Sequence, residues 1–112
     1  MSELLSTEEV DRLATNATAW RRADSSECYN RDATNGYVGT VEGVNVEVYR
    51  SLDFFVNRVK IVISANGFTI GYSCGLPMKR VTEHYKRAEV DFEARLSRAR
   101  EQTLENARRL SA

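Results

Sequence analysis

Few side chains in this sequence could carry chemistry. The only histidine is His84, and the two cysteines, Cys28 and Cys74, lie far apart and form no Cys-x-x-Cys pair. A zinc knuckle or a dithiol redox site is therefore not expected. General acid–base catalysis usually leans on His or on carboxylates in unusual surroundings. His84 falls beside Tyr85 in a helical pattern, and spacing places neither cysteine next to it; it reads as a boundary side chain. Cys74 falls in the inward set of a strand and reads as a small hydrophobe. Gly36-Tyr37-Val38-Gly39 has the Gly-x-x-Gly form of a KH loop. That loop joins two helices, whereas this one opens a strand. No glycine-rich phosphate loop and no metal-spaced cluster occurs. The expectation is no catalytic residue, no metal site, no cofactor and no enzyme activity.

Acidic and basic residues balance at 16 each, so no overall field draws the chain toward nucleic acid or an anionic membrane. Locally, Arg95, Arg98, Arg100, Arg108 and Arg109 could grip phosphates. Glu93, Glu101 and Glu105 are interleaved with them, and Glu105 precedes Arg109 by one helical turn. A solvated charged face is the preferred reading; under the alternative, Arg95, Arg98, Arg108 and Arg109 would contact nucleic acid. On the sheet, Tyr49, Arg58 and Lys60 make a thin set for stacking single-stranded bases.

The elements that must position these groups are legible from turns and periodicity. A chain of 112 residues suits one domain, residues 1–112, with its own core. Ser6 can cap a helix while Glu9 reaches back, and Leu5 can pack on Val10. Val10, Leu13, Ala14, Ala17 and Trp20 recur at helical spacing, which predicts a helix over 7–22. A polar loop follows, with room for a short strand around Cys28. Turns at Glu42-Gly43 and Asn66-Gly67 predict hairpins over 36–49 and 57–74. The first puts Tyr37, Gly39, Val41, Val44, Val46 and Val48 on one face. The second adds Val59, Ile61, Ile63, Ala65, Phe68, Ile70, Tyr72 and Cys74 to that face, leaving the other to solvent. Pro77 then opens a long helix over 77–110. The expected fold class is α+β: an N-terminal helix, a four-stranded antiparallel meander of two hairpins and a long C-terminal helix, with both helices on one face of the sheet.

Two regions hold more apolar surface than this fold needs. The long helix would run about 50 Å, against about 24 Å for a seven-residue strand. Its second half carries Leu96, Ala99, Thr103, Ala107 and Leu110, a stripe for self-association unless the first helix covers it. The connector 50–57 holds Leu52, Phe54, Phe55 and Val56. Leu52 and Phe55 are expected to plug the core, while Phe54 and Val56 could form a lip for a protein partner. The amino terminus lacks a basic head and apolar run, and no stretch approaches the roughly 18 apolar residues of a membrane span, so a cytoplasmic protein is expected. Together these observations lead us to expect a non-catalytic protein-binding module of the small accessory, adaptor or inhibitor kind, as phages and mobile elements encode. Its partner is a protein of unspecified identity and it is expected to be a homodimer; nucleic-acid binding is the alternative.

Overall fold

The computed structural model describes residues 4–23, 35–53 and 56–111. The order is α1 (Thr7–Asn16), β1 (Thr18–Arg22), β2 (Asn35–Val41), β3 (Val44–Asp53), β4 (Val56–Ala65), β5 (Phe68–Tyr72) and α2 (Met78–Ser111). All strands join one antiparallel sheet in chain order. Both helices pack on the same face: Val10 and Leu13 of α1 and Val81, Tyr85 and Ala88 of α2 share one cluster with Val46, Val48, Ile61 and Ile63. The α+β class is as expected, with five strands rather than four.

Turn chemistry sets the meander. Glu42 and Gly43 have φ of 48° and 79°, and Asn66 and Gly67 have 52° and 81°. Two consecutive left-handed residues make the two-residue turn whose twist matches that of paired strands. Val41 therefore meets Val44, Gly39 meets Val46 and Tyr37 meets Val48. β3 and β4 are longer than expected, pairing from Asn45 with Ser64 down to Asp53 with Val56. At the centre of the outer face, Val38, Glu47, Tyr49 and Val62 are buried. That face is therefore not the uniformly solvated one expected.

The helix expected over 7–22 stops at Asn16. Ser6 caps it as anticipated, its hydroxyl accepting from the Glu9 amide at 3.2 Å, but the Glu9 carboxylate pairs with Arg12 instead of closing the box. Ala17 is extended, Ala19 takes φ of 57°, and Thr18–Arg22 pairs with β2 through an irregularity. Two forces favour the strand. Thr15, Asn16 and Thr18 are weak helix formers, and the edge of β2 offers unsatisfied backbone groups. Trp20, taken as part of the helical stripe, is instead the one inward residue of β1, and its ring lies over Gly39.

The second hairpin begins in the expected register, Ala65 with Phe68 and Ser64 with Thr69, then slips, so that Ile63 meets Gly71 and Val62 meets Tyr72. Ile70 is the extra residue of a bulge. Its carbonyl accepts the Leu5 amide at 2.8 Å. The slip turns Gly71 toward α1, where a Cβ would stand 3.0 Å from Val10 and 3.3 Å from Leu5; in the expected register Ile70, opposite Ile63, would have pointed there. Cys74, expected inward, is exposed for the same reason.

An alanine Cβ at position 39 would lie 2.8 Å from the Trp20 ring. Because that indole is rigid and buried, Gly39→Ala is expected to cost about 1–3 kcal/mol. Urea unfolding should show a lower midpoint at an unchanged slope; a wild-type midpoint would mean that the ring is not held there.

Candidate functional site

Which part of α2 is left uncovered depends on a polar clip between the two helices. Asp11 stands one turn into α1 and faces the start of α2. Its Oδ1 accepts from Arg80 Nε at 2.8 Å and lies 2.7 Å from His84 Nε2. Arg80 also donates to the Thr15 hydroxyl at 3.2 Å. Arg87 donates to the Ala14 carbonyl at the end of α1 and stands 3.4 Å from His84 Nδ1. With Arg87 as a donor there, Nδ1 is the acceptor and Nε2 carries the proton given to Asp11. The Arg80 and His84 hydrogen bonds hold the Asp11 carboxyl below its ordinary range. Burial, followed by the Arg87 and Arg80 charges, pushes His84 down despite Asp11. His84 is 1% exposed, so it is an internal clip residue rather than the boundary side chain expected.

The clip fixes α1 beside the first three turns of α2. The first helix, only ten residues long, therefore cannot cover the far end of the second. α2 has 34 residues. Val81, Tyr85 and Ala88 are buried, Phe92 and Leu96 are half-buried, and every residue from 97 to 111 is exposed. The molecule spans 60 × 34 × 25 Å, with a radius of gyration of 16.2 Å, against about 13 Å for a compact chain of this length.

The exposed segment continues the face that α2 presents to the sheet. At about 100° per residue, Tyr85, Phe92, Leu96, Thr103, Ala107 and Leu110 fall within a stripe roughly 60° wide, with Ala99 at its margin. The base of this stripe is firmly held. Tyr37 packs against Tyr85 and Phe92 with ring centroids 5.5 Å apart in both cases. Arg22 lies over Tyr37 and Arg50 over Tyr85. Further out, Ala99, Arg100, Thr103 and Leu104 line a shallow hollow. Leu104 and Leu110 are 57% and 89% exposed. Leu104 is the surface residue that sequence reasoning missed: it lies off the stripe by periodicity, and only its place on the rim of the hollow marks it.

Of the remaining expected site residues, Phe54 lies outside the described residues, as does the side chain of Val56. Arg95, Arg98, Arg108 and Arg109 are exposed. Arg109 donates to Glu105 at 2.9 Å, the ordinary helix pair expected. At about 100° per residue the four fall within one arc about 140° wide on the side of α2 away from the stripe, with Glu101 and Glu105 set among them. Among the described residues no group of three His, Cys, Asp or Glu is placed to hold a metal, and no helix is long and apolar enough to cross a membrane.

A pH dependence follows from the clip. Both Asp11 and His84 have folded-state pKa values below their unfolded ones, so the unfolded chain takes up protons more readily and stability rises with pH. The His84 contribution is complete above about 6.5 and fades as pH falls through the lower folded value; Asp11 adds its loss below about 4. Urea midpoints should therefore decline from pH 7.5 to 5 in the wild type, and the decline should flatten in His84→Gln. An equal slope in both would rule out His84 as its source. No protein-family model, curated protein or solved structure matches the chain.

Proposed function

We propose that this protein is a non-catalytic protein-binding module of the accessory, adaptor or inhibitor kind, and that it forms a homodimer by antiparallel pairing of residues 96–110 of α2. The observation that carries the reading is the symmetry of the bare stripe. Its members, Leu96, Ala99, Thr103, Ala107 and Leu110, are separated by steps of three, four, four and three. A two-fold axis through Thr103 places Leu96 on Leu110 of a second copy and Ala99 on its Ala107. A dyad needs a self-complementary patch of this kind.

The side chains suit that arrangement. Ala99, Thr103 and Ala107 let two helix axes approach to about 8 Å, and leucines close both ends. The hollow at Ala99, Arg100, Thr103 and Leu104 then faces Leu104 of the other copy. The second helix lies on the same side of α2 as the sheet and ends against Phe92 and the aromatic cluster. Fifteen residues give about 22 Å of contact, at the small end of specific interfaces. Association in the micromolar range is expected. In support of a non-catalytic role, the sole histidine is buried in a structural clip.

Light scattering or sedimentation across about 1–200 μM should show a concentration-dependent dimer. Leu96→Glu with Leu110→Glu should abolish it while leaving a single cooperative urea transition, and should remove any dependence of the urea midpoint on protein concentration. In a Cys28→Ser, Cys74→Ser background, Thr103→Cys should cross-link to itself under mild oxidation, since the axis brings the two copies within disulfide reach. Leu96→Cys should cross-link to Leu110→Cys but not to itself. A monomer at every concentration, or cross-linking of Leu110→Cys to itself alone, would overturn the antiparallel dimer.

A further inference from the structure

A second unsatisfied surface lies at the opposite side of the fold from β1. β4 runs from Val56 to Ala65, yet β5 pairs with it only from Val62 onward. One further contact follows: the Ser73 amide donates to the Ile61 carbonyl at 3.0 Å, and the Ile61 amide donates to the Ser73 hydroxyl at 3.0 Å. The chain then leaves the sheet. Gly75 takes φ of 95°, the Leu76 amide closes a turn on the Ser73 carbonyl, and the Thr7 hydroxyl holds the Cys74 carbonyl at 3.1 Å. Among the described residues, no strand occupies the row beside residues 56–60. Backbone groups of an antiparallel strand alternate in direction. Since Ile61 points its amide and carbonyl at β5, Val59 and Asn57 point theirs at the same open edge.

The edge borders a notch of about 380 Å³. On the helix side it is lined by Val59, Ile61, Leu76, Met78 and Val81, and on the outer side by Arg58 and Lys60, among others. Neither Arg58 nor Lys60 has a carboxylate partner among the described residues. We propose that the open edge of β4 binds an extended peptide by strand addition, with alternate apolar side chains turned into the notch and acidic side chains beside Arg58 and Lys60. Main-chain hydrogen bonds at an unpaired edge supply the affinity in this mode of recognition, and pockets for alternate side chains supply the selectivity. The two cations also disfavour pairing of this edge with the same edge of another copy. The inference rests on the chain being a protein-binding module, but not on its self-association.

Nitrogen-15 spectra of the Leu96→Glu, Leu110→Glu chain, titrated with a capped hexapeptide alternating valine and glutamate, test the proposal separately from the dimer. Resonances of residues 58–60 and 73–79 should shift, and the Val59 amide should exchange more slowly. Arg58→Glu with Lys60→Glu should weaken binding about tenfold and transfer preference to a valine–lysine peptide. Val59→Pro, which removes the outward donor and leaves the β3 ladder in place, should weaken it too. If the proline variant does not fold, the charge reversal decides. No shift up to about 5 mM peptide, equal binding by the charge-reversed chain, or shifts confined to residues 96–110 would each overturn strand addition. None of these results bears on whether the unmutated α2 pairs with itself.

Discussion

The contact between Asp11 and the start of α2 governs what this protein leaves exposed. One carboxylate accepts from Arg80 and His84 together, while Arg87 reaches the carbonyl end of α1. Asp11 and Arg80 stay partly open to solvent, but His84 is buried, so removing Asp11 would leave the ring N–H of His84 without a partner away from water. The short helix is thereby held beside the first turns of the long one. Everything beyond Leu96 extends into solvent.

The shortening of α1 has the same consequence by another route. A helix continuing to residue 22 could have reached the outer half of α2 and sheathed it. Instead the chain breaks at Ala17 and gives Thr18–Arg22 to the sheet, where Trp20 settles into the space left by the missing Cβ of Gly39. The fifth strand thus widens the platform while leaving the helix tail bare. Tyr37, Tyr85 and Phe92, ringed by Arg22 and Arg50, mark the point where the covered part of α2 ends.

The two surfaces left over differ in chemistry. The helix tail offers small side chains in a symmetric row and no backbone groups, which suits another helix. The free part of β4 offers backbone donors and acceptors, an apolar notch and two cations, which suits an extended acidic segment. They lie on different elements, so occupation of one does not block the other. Both arise from a mismatch of length: α2 is longer than the platform it crosses, and β4 is longer than β5.

Sequence alone determined the parts of the fold governed by neighbours in the chain. Glu42-Gly43 and Asn66-Gly67 need left-handed backbone, and period-two alternation then leaves one register that buries Val46, Val48, Ile61 and Ile63. The uninterrupted run after Pro77 made the long helix and its Leu96–Leu110 stripe readable too. Tertiary structure decided the rest, because there the winning partner is distant in sequence. The spacing of Ala17 and Trp20 fits a helix as well as a strand, and only the free edge of β2 with Gly39 selects the strand. The bulge at Ile70 answers to α1, which needs Gly71 beneath Val10 and Leu5; no local signal exists for it, and it carries Cys74 outward. His84 joins Asp11 across most of the chain, a pairing that periodicity can place on facing helices but cannot bring together.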